Sequence, residues 1–264
     1  MSDASNVFIK PWQEVSYANE AEKQRKQERL KNAIERNSIL RELAKNAALL
    51  RAAEIVNQHH EPSMYRAELY RELSQTLIGE WVLRLEGLPS TVYLEGRKTI
   101  LGQVAYHIIY DNKGDSISRA NLEFYILDYI HNYKPSKIKE GQSITGAMIE
   151  SLVDGDLILC LQGNNHYRFV HRAFLEYFCA CEFVKRFNKR GVQAGLTLDE
   201  LKNEIFGKHW QDESWHEILS LIVEMLHPEF GKQIIHYLKN QEAGEQEATK
   251  TSLISKCLEA VNRR

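Results

Sequence analysis

The chain has 264 residues, which is enough for about two compact domains and excludes a single mini-domain. Hydrophobic residues make up 43% of it and charged residues 27%, and 34 basic residues nearly balance 36 acidic ones, giving a formal net charge of -2. This balance excludes a bulk electrostatic attraction to nucleic acid or to an anionic membrane.

The sequence predicts a cytoplasmic protein with no membrane partner. Residues 1 to 6 lack the basic-then-apolar order of a secretory signal, and no apolar run approaches the roughly 18 to 20 residues that span a bilayer. The cysteines are too few and too scattered for a disulfide framework, and their spacing matches neither a zinc knuckle nor a redox pair. We expect buried, reduced thiols at Cys160, Cys179, Cys181 and Cys257.

Residues 1–63 are predicted to form a first helical domain. Apolar residues from Phe8 to Val15 have helix-compatible spacing, and residues 19–36 are charged enough to predict a solvated helix. Ser38 can cap the next helix, whose apolar stripe runs from Leu40 to Val56. His59 and the residues after it end that helix.

Residues 64–187 are predicted to form a winged-helix domain. Helical periodicity marks residues 65–84, 95–110, 118–132 and 143–153, and in the first of these Leu69, Leu73, Leu77 and Trp81 recur every four residues along one side. The second of these has Ile100, Val104, Ile108 and Ile109 inward, and the third has Leu122, Phe124, Ile126, Leu127 and Ile130 inward. The run from Phe124 to Asp128 is assigned to core packing.

A short β-hairpin follows these helices. Residues 157–161 predict one strand, the turn at 163–165 reverses the chain, and residues 167–170 predict the returning strand. A strongly amphipathic helix begins directly afterwards, so His171 lies between a strand and a helix. Helices followed by a two-stranded hairpin indicate a winged helix, with the hairpin as its wing.

Residues 188–264 are predicted to form a second helical region. Helices are expected at 198–209, 214–226, 229–240 and 247–261, with Pro228 starting the third. Successive helices of this kind suggest a solenoid-like array that binds protein partners. The predicted fold class is therefore mainly α: a helical domain, a winged helix with a small β-hairpin, and a further helical region.

The sequence partly matches some binding and catalytic motifs, but each match lacks residues that the chemistry requires. The sequence therefore predicts no enzyme activity, cofactor or metal for this chain alone. Gly141 and Gly146 have the glycine spacing of a phosphate-binding loop, but Ala147 and Met148 stand where a lysine and a hydroxyl are needed. The adjacent His59 and His60 have no recognisable third ligand nearby. Neither a nucleophile elbow nor an HExxH motif is present.

A winged helix raises the alternative of a nucleic-acid-binding regulator. A recognition helix presents Arg, Lys, Asn or Gln to base edges, yet residues 143–153 contain no Arg or Lys and include Glu150. The nearest basic residues before it in the sequence are those of the preceding loop, Lys134, Lys137 and Lys139. This distribution disfavours nucleic acid and favours a winged helix that faces protein.

Three stretches of the sequence carry a resemblance to a known family. They are residues 40–50 (LRELAKNAALL), residues 66–81 beginning RAELY, and residues 167–180 (YRFVHRAFLEYFCA). In order and spacing they resemble the NACHT-type signal-transduction NTPases of the STAND class, over about residues 7–187. The resemblance implies the regulatory arm of a nucleotide-dependent switch of the kind used in defence or stress signalling.

The resemblance also implies a site. In that family the histidine at the position of His171 contacts the β-phosphate of bound ADP and helps to keep the protein closed, whereas the residues alone allow a core histidine bonded to a backbone carbonyl. Ala47 stands where the family usually has a proline beside the adenine. ADP or ATP is thus implied only if a P-loop nucleotide-binding domain is supplied.

The P-loop domain that should precede Phe8 in the family is not in this sequence. We therefore expect either a fragment or a chain that receives the domain in cis or in trans. Two alternatives stay open at this stage: a helical protein-protein interaction module without nucleotide sensing, and a winged-helix nucleic-acid-binding regulator.

Overall fold

The computed structural model describes residues 19–82, 90–111, 114–133, 141–150, 152–153, 158–189 and 195–262. The fold is mainly helical with one small antiparallel sheet, which confirms the predicted mainly α class. The chain divides into two compact units, Met1–Met64 and Tyr65–Arg264. The predicted boundary between residues 187 and 188 stays a prediction, and the apolar run from Phe8 to Val15 lies outside the described residues.

The first unit contains α1 (Glu20–Arg36), α2 (Ser38–Leu43) and α3 (Ala47–His59). Along α1 only Leu30 and Ala33 are buried, which confirms a largely solvated helix. The buried side chains of α2 and α3 form the core of this unit: Leu40, Leu43, Leu49, Ala52, Ala53 and Val56.

The single helix predicted from Ser38 to Val56 is wrong, because the structure contains two helices there. The side chain of Asn37, not Ser38, accepts hydrogen bonds from the N–H groups of Ile39 and Leu40, at 3.0 and 3.1 Å. Asn46 caps α3 in the same way, accepting from Ala48 and Leu49. Asparagine competes with the helix by bonding nearby backbone N–H groups, so each asparagine starts a new helix.

The second unit begins with α4 (Arg66–Val82) and α5 (Ser90–Tyr106), and a π-helical turn at His107–Asp111 extends α5. Next come α6 (Arg119–Tyr133), α7 (Gly141–Glu150) and α8 (Arg172–Asn188). These bounds confirm the predicted helices. Most of their predicted apolar positions are buried, namely Leu69, Leu73, Leu77, Ile100, Val104 and Ile108, but Ile109, also predicted to point inward, is only half-buried.

Helix α6 corrects one core prediction. Leu122, Ile126 and Ile130 are buried as expected, but Phe124 is 61% exposed and Leu127 is 41% exposed. The three buried residues are four apart and form one stripe, whereas positions two and five residues after Leu122 point well away from it. Core packing is therefore wrong for Phe124 and Leu127.

The sheet contains β1 (Ile117–Ser118), β2 (Leu159–Gln162) and β3 (His166–Phe169) in the order β1-β3-β2, all antiparallel. Tyr167 lies opposite both Ile117 and Leu161. Positive φ angles at Gly163, Asn164 and Asn165 make the tight turn between β2 and β3. The predicted hairpin is confirmed, and β1 is a third strand that the sequence pattern did not predict.

The remaining elements are helical: α9 (Leu198–Glu200), a π-helical segment (Leu201–Phe206), α10 (Gly207–His209), a 3-10 turn (Glu213–Trp215), α11 (His216–Met225), α12 (Pro228–Lys239), a 3-10 turn (Gly244–Gln246) and α13 (Glu247–Asn262). Pro228 begins α12 as predicted. Across the described part of the chain, no helix combines the length and apolarity needed to cross a membrane.

Candidate functional site

His171 lies in the two-residue connection between β3 and α8 and is the N-cap of α8. Its backbone is extended, and its Nδ1 accepts a hydrogen bond from the N–H of Ala173 at 3.2 Å. An Nδ1 that accepts cannot carry a proton, so in this arrangement the neutral ring bears its proton on Nε2. The imidazole therefore orders the start of α8 and has Nε2 as its donor atom.

Both elements that flank His171 are anchored in the core. On the strand side Phe169 is buried, and its ring lies 5.9 Å from that of Phe178 on α8. On the helix side Phe174 and Phe183 are completely buried. Because aromatic side chains bury large areas, this packing fixes the direction in which the connection leaves the sheet.

A pocket of about 780 Å³ adjoins this connection. Val170 and Arg172 both line it, while His171 between them does not. The other lining residues come from the region around β1, from β3 and α8, and from the segment between α10 and α11: Ile109, Tyr110, Gly114, Asp115, Arg168, Phe169, Leu175, Glu176, Lys208, His209, Asp212, Ser214, Trp215 and Ile218.

Most charged groups of this pocket have partners within the protein. Arg172 Nε donates to Glu176 Oε1 at 2.7 Å. Burial raises the pKa of Glu176, and the Arg172 guanidinium opposes that rise. The carboxylate of Asp212 accepts from the N–H of Ser214 at 2.9 Å, and hydrogen bonding to Ser214 lowers the pKa of Asp212.

Aromatic rings form one wall of the pocket. The imidazole of His209 stacks on the indole of Trp215, with centroids 3.8 Å apart and planes inclined by 13°. Tyr110 meets both rings edge-on, at 6.0 and 6.1 Å. This wall is suited to a flat ligand group, since aromatic contacts favour stacked and edge-to-face geometries.

A second charged cluster lies at the start of α4, which sequence periodicity did not reveal. Arg66 Nη1 lies 2.9 Å from Glu217 Oε2, and Arg66 Nε lies 3.5 Å from Glu224 Oε2. Glu224 is buried and also accepts the N–H of Ala67 at 3.0 Å. Burial, reinforced by Glu217, raises the pKa of the nearby Tyr70. The cluster joins α4 to α11.

Ala47, the other residue implicated by the family resemblance, is the first residue of α3 and is exposed. It belongs to the first unit, whereas His171 belongs to the second. The expected contact of both residues with one nucleotide stays a prediction.

The four cysteines are free thiols; Cys179 and Cys257 are buried as predicted, whereas Cys160 and Cys181 are only half-buried. Burial raises the pKa of Cys181 and of Cys257 to about 12. Because the thiolate is the reactive form, these groups have little nucleophilic character near neutral pH.

Residues Gly141–Gly146, whose spacing resembles a phosphate-binding loop, belong to helix α7. In a phosphate-binding loop the backbone N–H groups turn toward the phosphates, which a helical backbone does not allow beyond its first turn. Among the described residues, no group of three or more His, Cys, Asp or Glu side chains could hold a metal ion. No protein-family model, curated protein or solved structure matches the chain.

Proposed function

We propose that this chain is the regulatory helical and winged-helix arm of a NACHT-like, nucleotide-dependent signalling switch. ADP or ATP would be held by a P-loop nucleotide-binding domain supplied in cis or in trans, and this chain would sense the nucleotide without hydrolysing it. The C-terminal helices, α11 to α13, would form the solenoid-like region that meets protein partners.

The order of elements supports the winged-helix part of the proposal. From α5 to β3 the chain runs helix, strand, helix, helix, strand, strand, and the sheet order is β1-β3-β2. A winged helix has this succession, with its first strand paired to its last. The β2–β3 hairpin would be the wing, and α7 would take the place of the recognition helix.

The geometry of His171 is the observation that carries the proposal. Its Nδ1 is occupied by the N–H of Ala173, so Nε2 is the nitrogen that would donate to a phosphate oxygen. The ring is held between β3 and α8, two elements anchored in the core, so it would move with the winged helix as a body. A hydrogen bond to an ionised phosphate is stronger than one between neutral groups, and it would be lost when the winged helix swings away.

The proposal has a direct experimental test. A GxxxxGK[ST] loop should be encoded either in frame upstream of Met1 or in an adjacent gene. With that domain joined to this chain, His171→Ala should weaken ADP retention and raise basal signalling. Unchanged ADP affinity would reduce His171 to a helix cap, and a well-behaved isolated chain with no such domain encoded nearby would remove the basis of the proposal.

A protein-protein interaction module without nucleotide sensing is the second candidate. Phe124 on α6 is 61% exposed and Leu161 on the edge strand β2 is 59% exposed. Exposed apolar side chains mark a protein-binding surface where they form one contiguous patch, and in this candidate Phe124 and Leu161 would belong to such a patch. If Phe124→Ser and Leu161→Ser abolish binding to a signalling partner while His171→Ala leaves ADP retention unchanged, this candidate replaces the first.

Binding to DNA has less support. Helix α7 contains no Arg or Lys, and on it Thr145, Met148 and Ile149 are buried. A recognition helix needs exposed donors for base edges and phosphates. An electrophoretic shift assay with duplex DNA at low salt should show no complex, and a salt-dependent complex would favour the regulator instead.

A further inference from the structure

The pocket beside the β3–α8 connection is separate from the predicted contact of His171 with phosphate. Val170 and Arg172 line the pocket and His171 does not. Its volume of about 780 Å³ is within the range of about 300–1,000 Å³ that is usual for small-molecule sites. The proposed function therefore leaves this cavity without a role.

The charges of the pocket narrow the ligand that it would accept. Glu176 is paired with Arg172, Lys208 is paired with Glu204, and Asp212 accepts a backbone N–H. Two lining side chains are left, Arg168 and Asp115, for which no hydrogen bond or ion pair is found among the described residues. The uncommitted charges of the pocket are thus one guanidinium and one carboxylate.

These two residues lie on neighbouring segments of the chain. Arg168 is on β3, and Asp115 precedes β1 by two residues. β1 pairs with β3, with Ile117 opposite Tyr167, so the chain at Asp115 runs beside the β3 segment that contains Arg168. A cation and an anion thus come from adjacent chain segments at one pocket, and no ion pair joins them, which is suited to a ligand that carries both charges.

The aromatic wall supplies the remaining feature. Tyr110, His209 and Trp215 line the same cavity, and the contacts among their rings fix them in place. We propose that the pocket binds a small aromatic zwitterion, the chemistry of an aromatic amino acid. Its carboxylate would meet Arg168, its ammonium group would meet Asp115, and its ring would lie against the aromatic wall.

Such a ligand would bridge β3, α8 and the segment before α11, and would thereby stiffen the connection that contains His171. The proposal itself does not depend on nucleotide sensing, because the pocket is formed entirely by residues of the second unit. It can be tested on the full chain in the absence of nucleotide.

Isothermal titration calorimetry with four probes tests the ligand class. L-Phenylalanine should bind, whereas 3-phenylpropionate, 2-phenylethylamine and L-alanine, which lack the ammonium, the carboxylate and the ring respectively, should each bind at least about tenfold more weakly. No detectable binding of L-phenylalanine up to about 20 mM overturns the proposal. Equal binding of 3-phenylpropionate also overturns it, since an anion with a ring would then suffice.

Variants locate the site. Arg168→Gln and Asp115→Asn should each weaken the binding of L-phenylalanine by about tenfold or more, because each removes one charge contact. Arg168→Gln should leave 2-phenylethylamine nearly unaffected, and Asp115→Asn should leave 3-phenylpropionate nearly unaffected. Lys232→Gln, an exposed change on α12, is the control and should bind like the unmodified chain. Full binding by both pocket variants would place the ligand elsewhere and refute the assignment.

Discussion

Replacing Ala47 with proline should stabilise the folded chain. Ala47 is exposed and is the first residue of α3, where proline has a suitable φ and the missing N–H has no partner within the helix. The preceding residue, Asn46, has φ -91° and ψ 123°, which is the extended conformation that a following proline favours. The substitution therefore introduces no clash into the backbone as observed.

The free energy of unfolding should rise by about 0.4–1 kcal/mol, because proline lowers the conformational entropy of the unfolded chain. Urea unfolding of Ala47→Pro, followed by circular dichroism, should give a higher midpoint with an unchanged slope. Ala48→Pro is the matched control, because the N–H of Ala48 donates to Asn46 Oδ1 at 3.0 Å and would be lost. That loss of a cap bond should cost about 0.5–2 kcal/mol. Equal destabilisation by both variants would show that α3 does not begin at Ala47.

Two further predictions concern buried charges. Since burial raises the pKa of Glu176, the native state holds its proton more tightly than the unfolded chain, so stability should fall as pH rises above the ordinary value of 4.5. In Glu176→Gln the free energy of unfolding should depend less on pH in this range. If the variant and the unmodified chain show the same pH dependence, burial does not raise the pKa of Glu176. Arg66→Met should cost about 3–5 kcal/mol, because it leaves the buried carboxylate of Glu224 without its cation. Arg71→Met, which breaks only exposed contacts with Glu68 and Gln75, should cost less than about 1 kcal/mol in the same denaturation experiment.

Sequence periodicity was most informative where one face of a long helix is buried. The stripe of Leu69, Leu73 and Leu77 predicted α4, and the same pattern predicted most of the later helices. Periodicity failed where a short polar side chain decides the structure. Asn37 and Asn46 divide an apolar stripe that reads as continuous, because each caps a separate helix.

The other features that the sequence did not predict depend on contacts between residues far apart in the chain. β1 is two residues long and is defined only by its pairing with β3, about fifty residues later, so no local pattern marks it. The pocket is formed by three separate segments, and the ion pairs of Arg66 involve residues more than 150 positions away. The position of His171 between a strand and a helix was predictable, because an alternating strand followed by an amphipathic helix is a local pattern.

The most direct test of the proposed switch is the rate at which bound ADP leaves the chain when it is joined to the proposed P-loop domain. His171→Asp retains a side-chain oxygen that can cap α8 through the N–H of Ala173, but it places a negative charge where the phosphate would lie. Phosphate contact by His171 predicts unchanged stability and ADP release at least about tenfold faster. Unchanged ADP release in this variant would show that His171 only caps α8, and would contradict nucleotide sensing by this residue.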